Sequence, residues 1–461
     1  MKLKTGDIIA AIGEAELHGA GSELTYRGFS TDTRLACKDA LFVALVGETF
    51  NGNAYLGQAK SAGALGALIG PEALNYQLPE GFQCFLVEDT LAGLQRLARH
   101  VRGLNPSCRA VAVTGSNGKS TTKEMIASIA GEKFRTHATS GNFNNHIGVP
   151  LTTLGIEPET EYLIVEIGAN HPGEIRHLAQ IVMPEISVIT NIAPSHLEGF
   201  GSIGGVLTAK LELFEQTAAD GVCVYNGDDS LLRKSVPGNF PNTLSFGLSG
   251  DNDLRAGEIS LDSQARPSFV FDGSLRIKLG FAGLHNVTNA LAAAAVGRLL
   301  GLEDNLIKKG LEALRSLKMR TELKKIGNTV ILDDSYNANP LSMREALKTL
   351  EAIEHDGPRG IVAGEMLELG PEAKGLHEEL ARLIAARPLA PVVFVGGFAQ
   401  QMKAAYLSAG GSEDAVFTAE NADHACDILR KRLSGGELLL VKGSRGVHLE
   451  RIIEKLEKTP V

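Results

Sequence analysis

Several residue types are scarce in this chain of 461 residues, and each scarcity excludes a class of protein. Tryptophan is absent, aromatic residues make up 5% of the sequence, and the formal net charge is -9. The chain therefore lacks the basic surplus of proteins that bind a nucleic-acid backbone. We expect no nucleic-acid partner.

Paired cysteines and long apolar runs are missing as well. The five cysteines are scattered and include no Cys-x-x-Cys pair, which is typical of a reducing cytosol. Glu14 and Glu16 interrupt the first apolar run, too early for the core of a secretion signal. The longest apolar runs, such as 290–296, are far shorter than the roughly 20 residues that span a membrane. We expect a cytoplasmic protein without a membrane span.

The length of the chain and its turn-rich breaks predict about three domains, at roughly 150 residues each. A turn-rich segment at 104–107 and a break between 315 and 328 give the boundaries 1–104, 105–318 and 319–461. The first part reads as a small α/β domain. In the other two, apolar strands alternate with helical patterns, which predicts parallel sheets covered by helices and a doubly wound, Rossmann-like last domain.

A phosphate-binding loop is the strongest motif. A strand over 109–113 runs into a helical pattern through Thr114, Gly115, Ser116, Asn117, Gly118, Lys119, Ser120 and Thr121. The glycines let successive N–H groups point inward, the helix contributes its positive end, and Lys119 can reach the terminal phosphates. Ser120 would bind Mg²⁺. The spacing G-x-x-G-K-S is shorter than usual, and a plain glycine-rich turn is the alternative.

Two polar residues follow the next strands of the predicted central sheet. Glu166 lies near the carboxyl end of the strand over 162–167, where open parallel sheets present ligands. Because an isolated buried charge is costly, we predict that Glu166 faces a metal, with a solvated edge-strand glutamate as the alternative. His196 follows the next strand, as a metal or phosphate contact or as a packed histidine. Lys210, taken alone, reads as a solvated lysine on a helix.

Six motifs in order resemble the Mur ligases: TGSNGKSTT, EIGANHPGEI, NIAPSHLEGFGS, AKLELF, HNVTNALAAAA and DDSYNANPLSM. Within that family, GNFNNHIGVP (141–150), DDSYNANP (333–340) and GEMLELG (364–370) resemble the members that join D-alanyl-D-alanine to UDP-N-acetylmuramoyl-tripeptide. The resemblance implies an N-terminal domain for the UDP end, a central ATP domain and a C-terminal domain that closes over the amine substrate. It further implies a cytoplasmic ligase of peptidoglycan precursor synthesis that forms an acyl phosphate from ATP. We expect a monomer.

The resemblance also implies a two-metal site. Lys210 would be carbamylated, which turns a cation into an anionic oxygen ligand. A neutral amine is needed for this, so the site must lower the pKa of Lys210. Together with His196 the carbamate would bind a second Mg²⁺, while Ser120 and Glu166 bind the first. With Lys119, these residues form the implied catalytic centre.

The remaining nucleotide contacts are implied in the same way. Asn289 would contact the adenine and Asn286 would support the site, although on sequence alone either asparagine reads as a helix N-cap. Arg320 would contact the ATP phosphates as the C-terminal domain closes. Asp334 would contact the ribose. On sequence alone, the alternative is that Arg320 and Asp334 are ordinary surface charges.

Substrate contacts are implied for three loops. The UDP-sugar would contact a loop that contains Ser30, Thr31, Asp32 and Arg34. The muramoyl-peptide would contact a loop that contains Asn142, Asn144 and Asn145. The dipeptide would contact a loop that contains Tyr336, Asn337 and Asn339. The turn at 442–445 is a further candidate for the dipeptide.

Three other functions stay open at this point. A ligase of the same superfamily would add glutamate to a folate or an amino acid to another peptide. A P-loop NTPase would use nucleotide binding as a switch, and a binding protein would carry a degenerate ATP site. Amine-dependent turnover distinguishes the ligase from the NTPase switch.

Overall fold

The computed structural model describes residues 2–19, 21–35 and 37–459, which form three sheet-based domains. The N-terminal domain contains β1 Leu3–Lys4, α1 Thr5–Ile12, β2 Glu16–His18, β3 Thr25–Tyr26, β4 Phe29–Ser30, β5 Leu41–Val43, α2 Leu56–Ser61, β6 Gly66–Ile69, β7 Gln83–Leu86 and α3 Thr90–Gly103. Its five-stranded sheet has the order β2-β7-β6-β5-β4 and is parallel except for β2. This is the small α/β domain that the sequence predicts.

The central domain is built on a nine-stranded sheet. Its elements are β8 Arg109–Thr114, α4 Lys119–Gly131, β9 Thr136–Ala138, α5 Gly148–Leu154, β10 Tyr162–Glu166, α6 Glu174–Val182, β11 Ile186–Ile189, α7 Leu197–Phe200, α8 Ile203–Glu215, β12 Val222–Asn226, α9 Ser230–Ser235, β13 Thr243–Gly247, β14 Leu254–Leu261, β15 Pro267–Phe271, β16 Leu275–Lys278, α10 His285–Leu299 and α11 Asp304–Ala313. The order is β16-β15-β14-β13-β12-β11-β8-β10-β9, and all neighbouring pairs are parallel except β14–β15 and β15–β16, because β15 runs opposite to the other strands. The irregular strands after residue 214 thus extend the main sheet.

The C-terminal domain carries a six-stranded sheet. Its elements are β17 Glu322–Ile326, β18 Thr329–Asp333, α12 Pro340–Ala352, β19 Arg359–Gly364, α13 Ala373–Ala385, β20 Leu389–Val395, α14 Ala399–Ser408, β21 Val416–Ala419, α15 Ala422–Arg432, β22 Leu438–Lys442 and α16 Glu450–Lys458. The order is β17-β18-β22-β19-β20-β21, with β17 antiparallel at one edge. Apolar cores cover both faces, so the doubly wound prediction is confirmed.

The packing of α4 and α10 fixes the geometry of the phosphate loop. Both helices contribute to the core on one face of the central sheet, together with Val111 and Val113 of β8. Because the buried face of α10 is rich in alanine, its backbone lies close to α4 and brings Asn289 against the loop. The neighbouring strands β10, β8 and β11 end at one edge of the sheet, where the predicted site residues gather.

Among the described residues, no helix combines the length and the apolar character needed to cross a bilayer.

Candidate active site

The phosphate loop adopts a conformation that requires glycine at two positions. Gly115 has φ of 142° and Gly118 has φ of 81°, and Gly118 immediately precedes α4. A Cβ atom on Gly118 would lie 2.3 Å from Asn289 Oδ1, and one on Gly115 would lie 2.0 Å from Thr190 Oγ1. A lysine and a hydroxyl follow at the start of the helix, an arrangement that suits the binding of an anion.

The segment after β11 holds this loop in place. Ser116 Oγ accepts a hydrogen bond from Ala193 N and donates one to Ala193 O, both at 2.9 Å. Asn117 N donates to Asn191 Oδ1 at 3.0 Å, and Thr190 Oγ1 donates to Asn117 O at 2.6 Å. Side chains thereby replace regular sheet pairing beyond the strand end and give the loop a fixed shape.

Two cations face the loop. Lys119 Nζ donates to Gly115 O at 2.8 Å and folds back over the loop. Burial lowers the pKa of Lys119; Glu166 opposes this effect and Arg320 adds to it. Arg320 Nη2 donates to Ser120 Oγ at 2.9 Å, and its guanidinium lies 4.1 Å from the centre of the Tyr336 ring. Arg320 thus lies at the phosphate loop, as the resemblance implies.

Glu166 is buried on β10, which pairs with a strand on each side, so the solvated edge-strand alternative is wrong. Its side chain is 2% exposed, and Oε1 accepts a hydrogen bond from Asn144 Nδ2 at 2.7 Å. The second oxygen, Oε2, is buried without a hydrogen-bond partner among the described residues. An unpartnered carboxylate oxygen in this position suits a hard divalent cation.

Lys210 lies in α8 and is buried, which excludes the simple reading of a solvated lysine. The side chain is 1% exposed, and Nζ lies 5.4 Å from the centre of the Phe200 ring. Burial, with a smaller effect of Lys119, lowers the pKa of Lys210 to about 7, while Glu174 and Glu212 oppose the shift. A large fraction of this amine is therefore neutral near pH 7, which is the form that reacts with CO₂.

His196 lies at the cavity in a left-handed conformation, with φ of 51°, immediately before α7. Its Nδ1 pairs with Oε2 of Glu368 from the C-terminal domain. Among the described residues, no three or more His, Cys, Asp or Glu side chains are grouped so that they could hold a metal ion by themselves. A divalent ion here would depend on hydroxyl, carbamate, phosphate or water oxygens as well.

The two asparagines of α10 do not cap the helix, since Leu284 occupies the N-cap position. Asn289 Nδ2 donates to Asn286 Oδ1 at 3.0 Å, and Asn289 Oδ1 accepts from Thr122 Oγ1 at 3.4 Å. Asn286 Nδ2 donates to Ala282 O at 2.8 Å. Asn286 and Asn289 thus support the phosphate loop from the side of α10, and both line the cavity.

Asp334 lines the cavity from the C-terminal domain and is held by a buried lysine. Its Oδ2 accepts from Lys442 Nζ at 2.6 Å, and its Oδ1 accepts from Thr321 N at 3.1 Å. Lys442 is 3% exposed and also donates to Asn337 O at 2.9 Å. Asp334 is therefore a fixed carboxylate and not a free surface charge.

The asparagines of the loop after β9 have different roles: one contacts a site residue, and another stabilises the start of a helix. Asn144 contacts Glu166, whereas Asn145 Oδ1 accepts from Ile147 N and Gly148 N and so stabilises the start of α5. Asn142 is exposed.

One cavity of about 1180 Å³ brings most of the predicted residues together, and it is lined by both the central and the C-terminal domain. Tyr336, Asn337 and Asn339 line it. Among its described lining residues, none of the predicted UDP-loop residues occurs: Ser30, Thr31, Asp32 and Arg34 belong to the N-terminal domain. There Arg34 hydrogen-bonds Asp32 and lowers the pKa of that carboxyl to about 2.

Two residues at the cavity were missed by the sequence analysis. Glu368 contacts His196, yet GEMLELG served only to indicate the family. Lys442, which holds Asp334, was considered only as part of a turn. For Lys442, the available signal was a charge next to a glycine at a strand end.

These features define a P-loop, nucleotide-dependent α/β enzyme whose site is shared by two domains. Comparison with known proteins specifies the class further. The model of the Mur ligase middle domain matches residues 113–297, and that of the Mur ligase glutamate ligase domain matches residues 319–445. The chain belongs to the Mur ligase family.

Individual relatives agree over nearly the whole length. A UDP-N-acetylmuramoyl-tripeptide–D-alanyl-D-alanine ligase of Bacillus subtilis (strain 168) is 36% identical, with 94% of each chain covered. The ligase of the same name from Escherichia coli (strain K12) is 37% identical, with 95% of each covered. The crystal structure of MurF from Acinetobacter baumannii matches with a TM-score of 0.86 at 31% identity, covering 100% of this chain and 99% of the other.

Proposed function

We propose that this enzyme joins D-alanyl-D-alanine to UDP-N-acetylmuramoyl-tripeptide with ATP, as a ligase of peptidoglycan precursor synthesis. The observation that carries the proposal is the single cavity in which the phosphate loop of the central domain faces Arg320 and Asp334. Full-length relatives named for this reaction support the choice of substrates. A MurF structure from Thermotoga maritima in complex with ADP, which matches with a TM-score of 0.78 at 29% identity, supports the nucleotide.

The reaction begins with attack of the tripeptide carboxylate on the γ-phosphate of ATP, which releases ADP and forms an acyl phosphate. Two anions must approach each other in this step. Lys119 and Arg320, both at the phosphate loop, would stabilise the charge on the transferring phosphoryl group by position and electrostatics. The neutral amine of the dipeptide then attacks the acyl carbon, and the tetrahedral intermediate loses a proton from nitrogen and expels phosphate to leave the amide.

The residues present fit a magnesium-dependent site. Ser120 Oγ and the unpartnered Glu166 Oε2 would hold one ion, and His196 with a carbamate on Lys210 would hold a second. Formation of the carbamate joins the neutral amine to CO₂ and releases one proton. When bound, such ions neutralise phosphate charge. The lowered pKa of Lys210 supports the carbamate.

The remaining contacts belong to the same proposal. Asn286 and Asn289 would support the adenine side and Asp334 would contact the ribose. The UDP end would bind the N-terminal loop, the muramoyl-peptide would reach the loop at 142–145, and the dipeptide would lie near the loop at 336–339. We further propose that the enzyme is a cytoplasmic monomer.

The test is phosphate release from Mg-ATP with UDP-N-acetylmuramoyl-tripeptide, with and without D-alanyl-D-alanine. We expect release that requires both substrates and a product heavier by the dipeptide minus water. A rate of phosphate release that is the same with and without the dipeptide would contradict the proposed substrates. It would not contradict the proposed ATP site. Transfer of ¹⁸O from the tripeptide carboxylate to phosphate tests the acyl phosphate.

A further inference from the structure

The segment 364–370 of the C-terminal domain reaches across to the central domain. Glu368 makes two contacts there: its side chain pairs with His196 Nδ1, and its backbone oxygen accepts from Glu198 N at 3.2 Å. Both partners lie at the start of α7. One residue of the C-terminal domain thus holds the histidine and the first turn of the helix that follows it.

The segment is itself firmly anchored. Met366 N donates to His377 Nε2 at 2.9 Å, and Leu367 N donates to Ser444 Oγ at 2.9 Å. His377 is fully buried and Ser444 is 4% exposed. Glu368 has φ of 61°, a conformation that glutamate adopts only when its surroundings impose it. The position of the Glu368 backbone is therefore set by the fold of the C-terminal domain, which presents the half-exposed side chain to His196.

We propose that Glu368 is a positioning residue for His196, supplied by the C-terminal domain so that the histidine is correctly oriented only when the two domains are in contact. A carboxylate on Nδ1 fixes the ring and its tautomer, with the proton on Nδ1 and the lone pair on Nε2. Histidines that bind metals commonly use such a carboxylate partner, and its loss costs about 10- to 100-fold in metal affinity or activity. The proposal rests on the proposed function, since it makes His196 part of a reaction centre.

The geometry explains why this role falls to the C-terminal domain. His196 belongs to a loop that also holds the phosphate loop, through Ala193 and Asn191. Domain contact through Glu368 therefore acts on the same loop that shapes the nucleotide site. Acyl-phosphate formation would be favoured in the arrangement that also excludes water from it.

The first test uses the ligand-free protein labelled with ¹⁵N-histidine. His196→Ala identifies the His196 signals in the NMR spectrum, and Glu368→Ala is compared with wild type. We expect wild-type His196 to be protonated on Nδ1 and the variant to show a mixture of tautomers. An unchanged His196 signal in Glu368→Ala would overturn the proposal. Glu372→Gln is the matched control, because Glu372 is exposed and makes no side-chain capping bond.

The second test separates orientation from simple folding effects. In Glu368→Gln, which keeps the shape of the side chain, we expect kcat to fall about 10-fold or more with an unchanged KM for ATP and an unchanged melting temperature. If Glu368→Gln has the same kcat and KM as Glu372→Gln, the positioning role of Glu368 is overturned. The proposed function is not affected by that result. A wild-type enzyme that forms no amide product would instead remove the proposed function, independently of the NMR result.

Discussion

Asn117 of the phosphate loop and Asn339 of the C-terminal domain exchange two hydrogen bonds across the domain boundary. Asn339 Nδ2 donates to Asn117 Oδ1 at 2.8 Å, and Asn117 Nδ2 donates to Asn339 Oδ1 at 3.2 Å. Asn339 is also the N-cap of α12, where its Oδ1 accepts from Ser342 N at 2.9 Å. The start of a C-terminal helix is thus attached directly to the nucleotide-binding loop.

This double role allows one of the two interdomain hydrogen bonds to be removed without removing the helix cap. In Asn339→Asp, the carboxylate can still accept from Ser342 N and from Asn117 Nδ2, but it has no N–H to donate to Asn117 Oδ1. We expect kcat/KM for ATP to fall several-fold, in line with the loss of a hydrogen bond of about 1 kcal/mol, with little change in melting temperature. Asn339→Ala removes the cap as well, so its melting temperature should fall. Wild-type kinetics in Asn339→Asp would show that the hydrogen bond donated by Asn339 Nδ2 has no role in closure.

The two glycines at the ends of α4 provide a matched pair of substitutions. Gly118→Ala places a Cβ atom 2.3 Å from Asn289 Oδ1 at a φ of 81°, whereas Gly131→Ala meets no atom within 4 Å. We expect Gly118→Ala to weaken ATP binding by about 10-fold or more, since backbone strain of about 1–3 kcal/mol must be relieved by moving the loop. Calorimetric titration with ATP measures the effect. Equal affinity in the two variants would contradict the assignment of this loop to phosphate.

Local sequence carries enough information for the phosphate loop and for the strand ends around it. The loop residues are consecutive, and each has its own requirement: positive φ at Gly118, a cation at Lys119, a hydroxyl at Ser120. Glu166 could be predicted because β10 is apolar up to that residue, so a carboxylate stands out. In these cases the chemistry and the secondary structure are encoded within about ten residues.

Features that depend on tertiary contacts were missed or left open. The strand β21 was not predicted, because Phe417 and Thr418 are only half-buried at a sheet edge and give no apolar run. Likewise, β17 lies in the segment interpreted as a domain boundary. The burial of Lys210 follows from the elements packed around α8, and the Glu368 contact joins residues 172 positions apart. The helical spacing of residues in the sequence shows neither the burial of Lys210 nor the contact between Glu368 and His196.

Arg320 allows charge and geometry to be separated at the phosphate loop. A lysine at this position keeps the charge but lacks the planar guanidinium that reaches Ser120 and stacks on Tyr336. We expect Arg320→Lys to lower kcat by about 10²-fold, the loss typical of one positioned donor. Tyr336→Phe keeps the stacked ring and should retain kcat, whereas Tyr336→Ala should lower it. Initial rates of phosphate release at saturating substrates measure all three, and full activity in Arg320→Lys would show that charge alone suffices.

In the proposed mechanism, the lowered pKa of Lys210 fixes the direction in which activity should depend on pH and on CO₂. Below about pH 7 the amine is mostly protonated and does not react with CO₂; above it, the neutral amine can form the carbamate. We therefore expect activity in limiting CO₂ to rise with pH through about 7, and bicarbonate to stimulate the enzyme. A ¹³C NMR signal of a carbamate, seen with ¹³CO₂ in wild type and lost in Lys210→Ala, would identify the modified residue.

The lysine variant also tests what the carbamate contributes. Lys210→Ala removes the buried amine and leaves a space next to Phe200. We expect a fall in kcat of at least about 10²-fold, with partial recovery when formate or acetate supplies a carboxylate in that space. Recovery in Lys210→Ala but not in Lys119→Ala would locate the missing anion at position 210, because the phosphate-loop lysine contributes a cation that a carboxylate does not replace. Recovery in both variants would show that the added anion acts elsewhere.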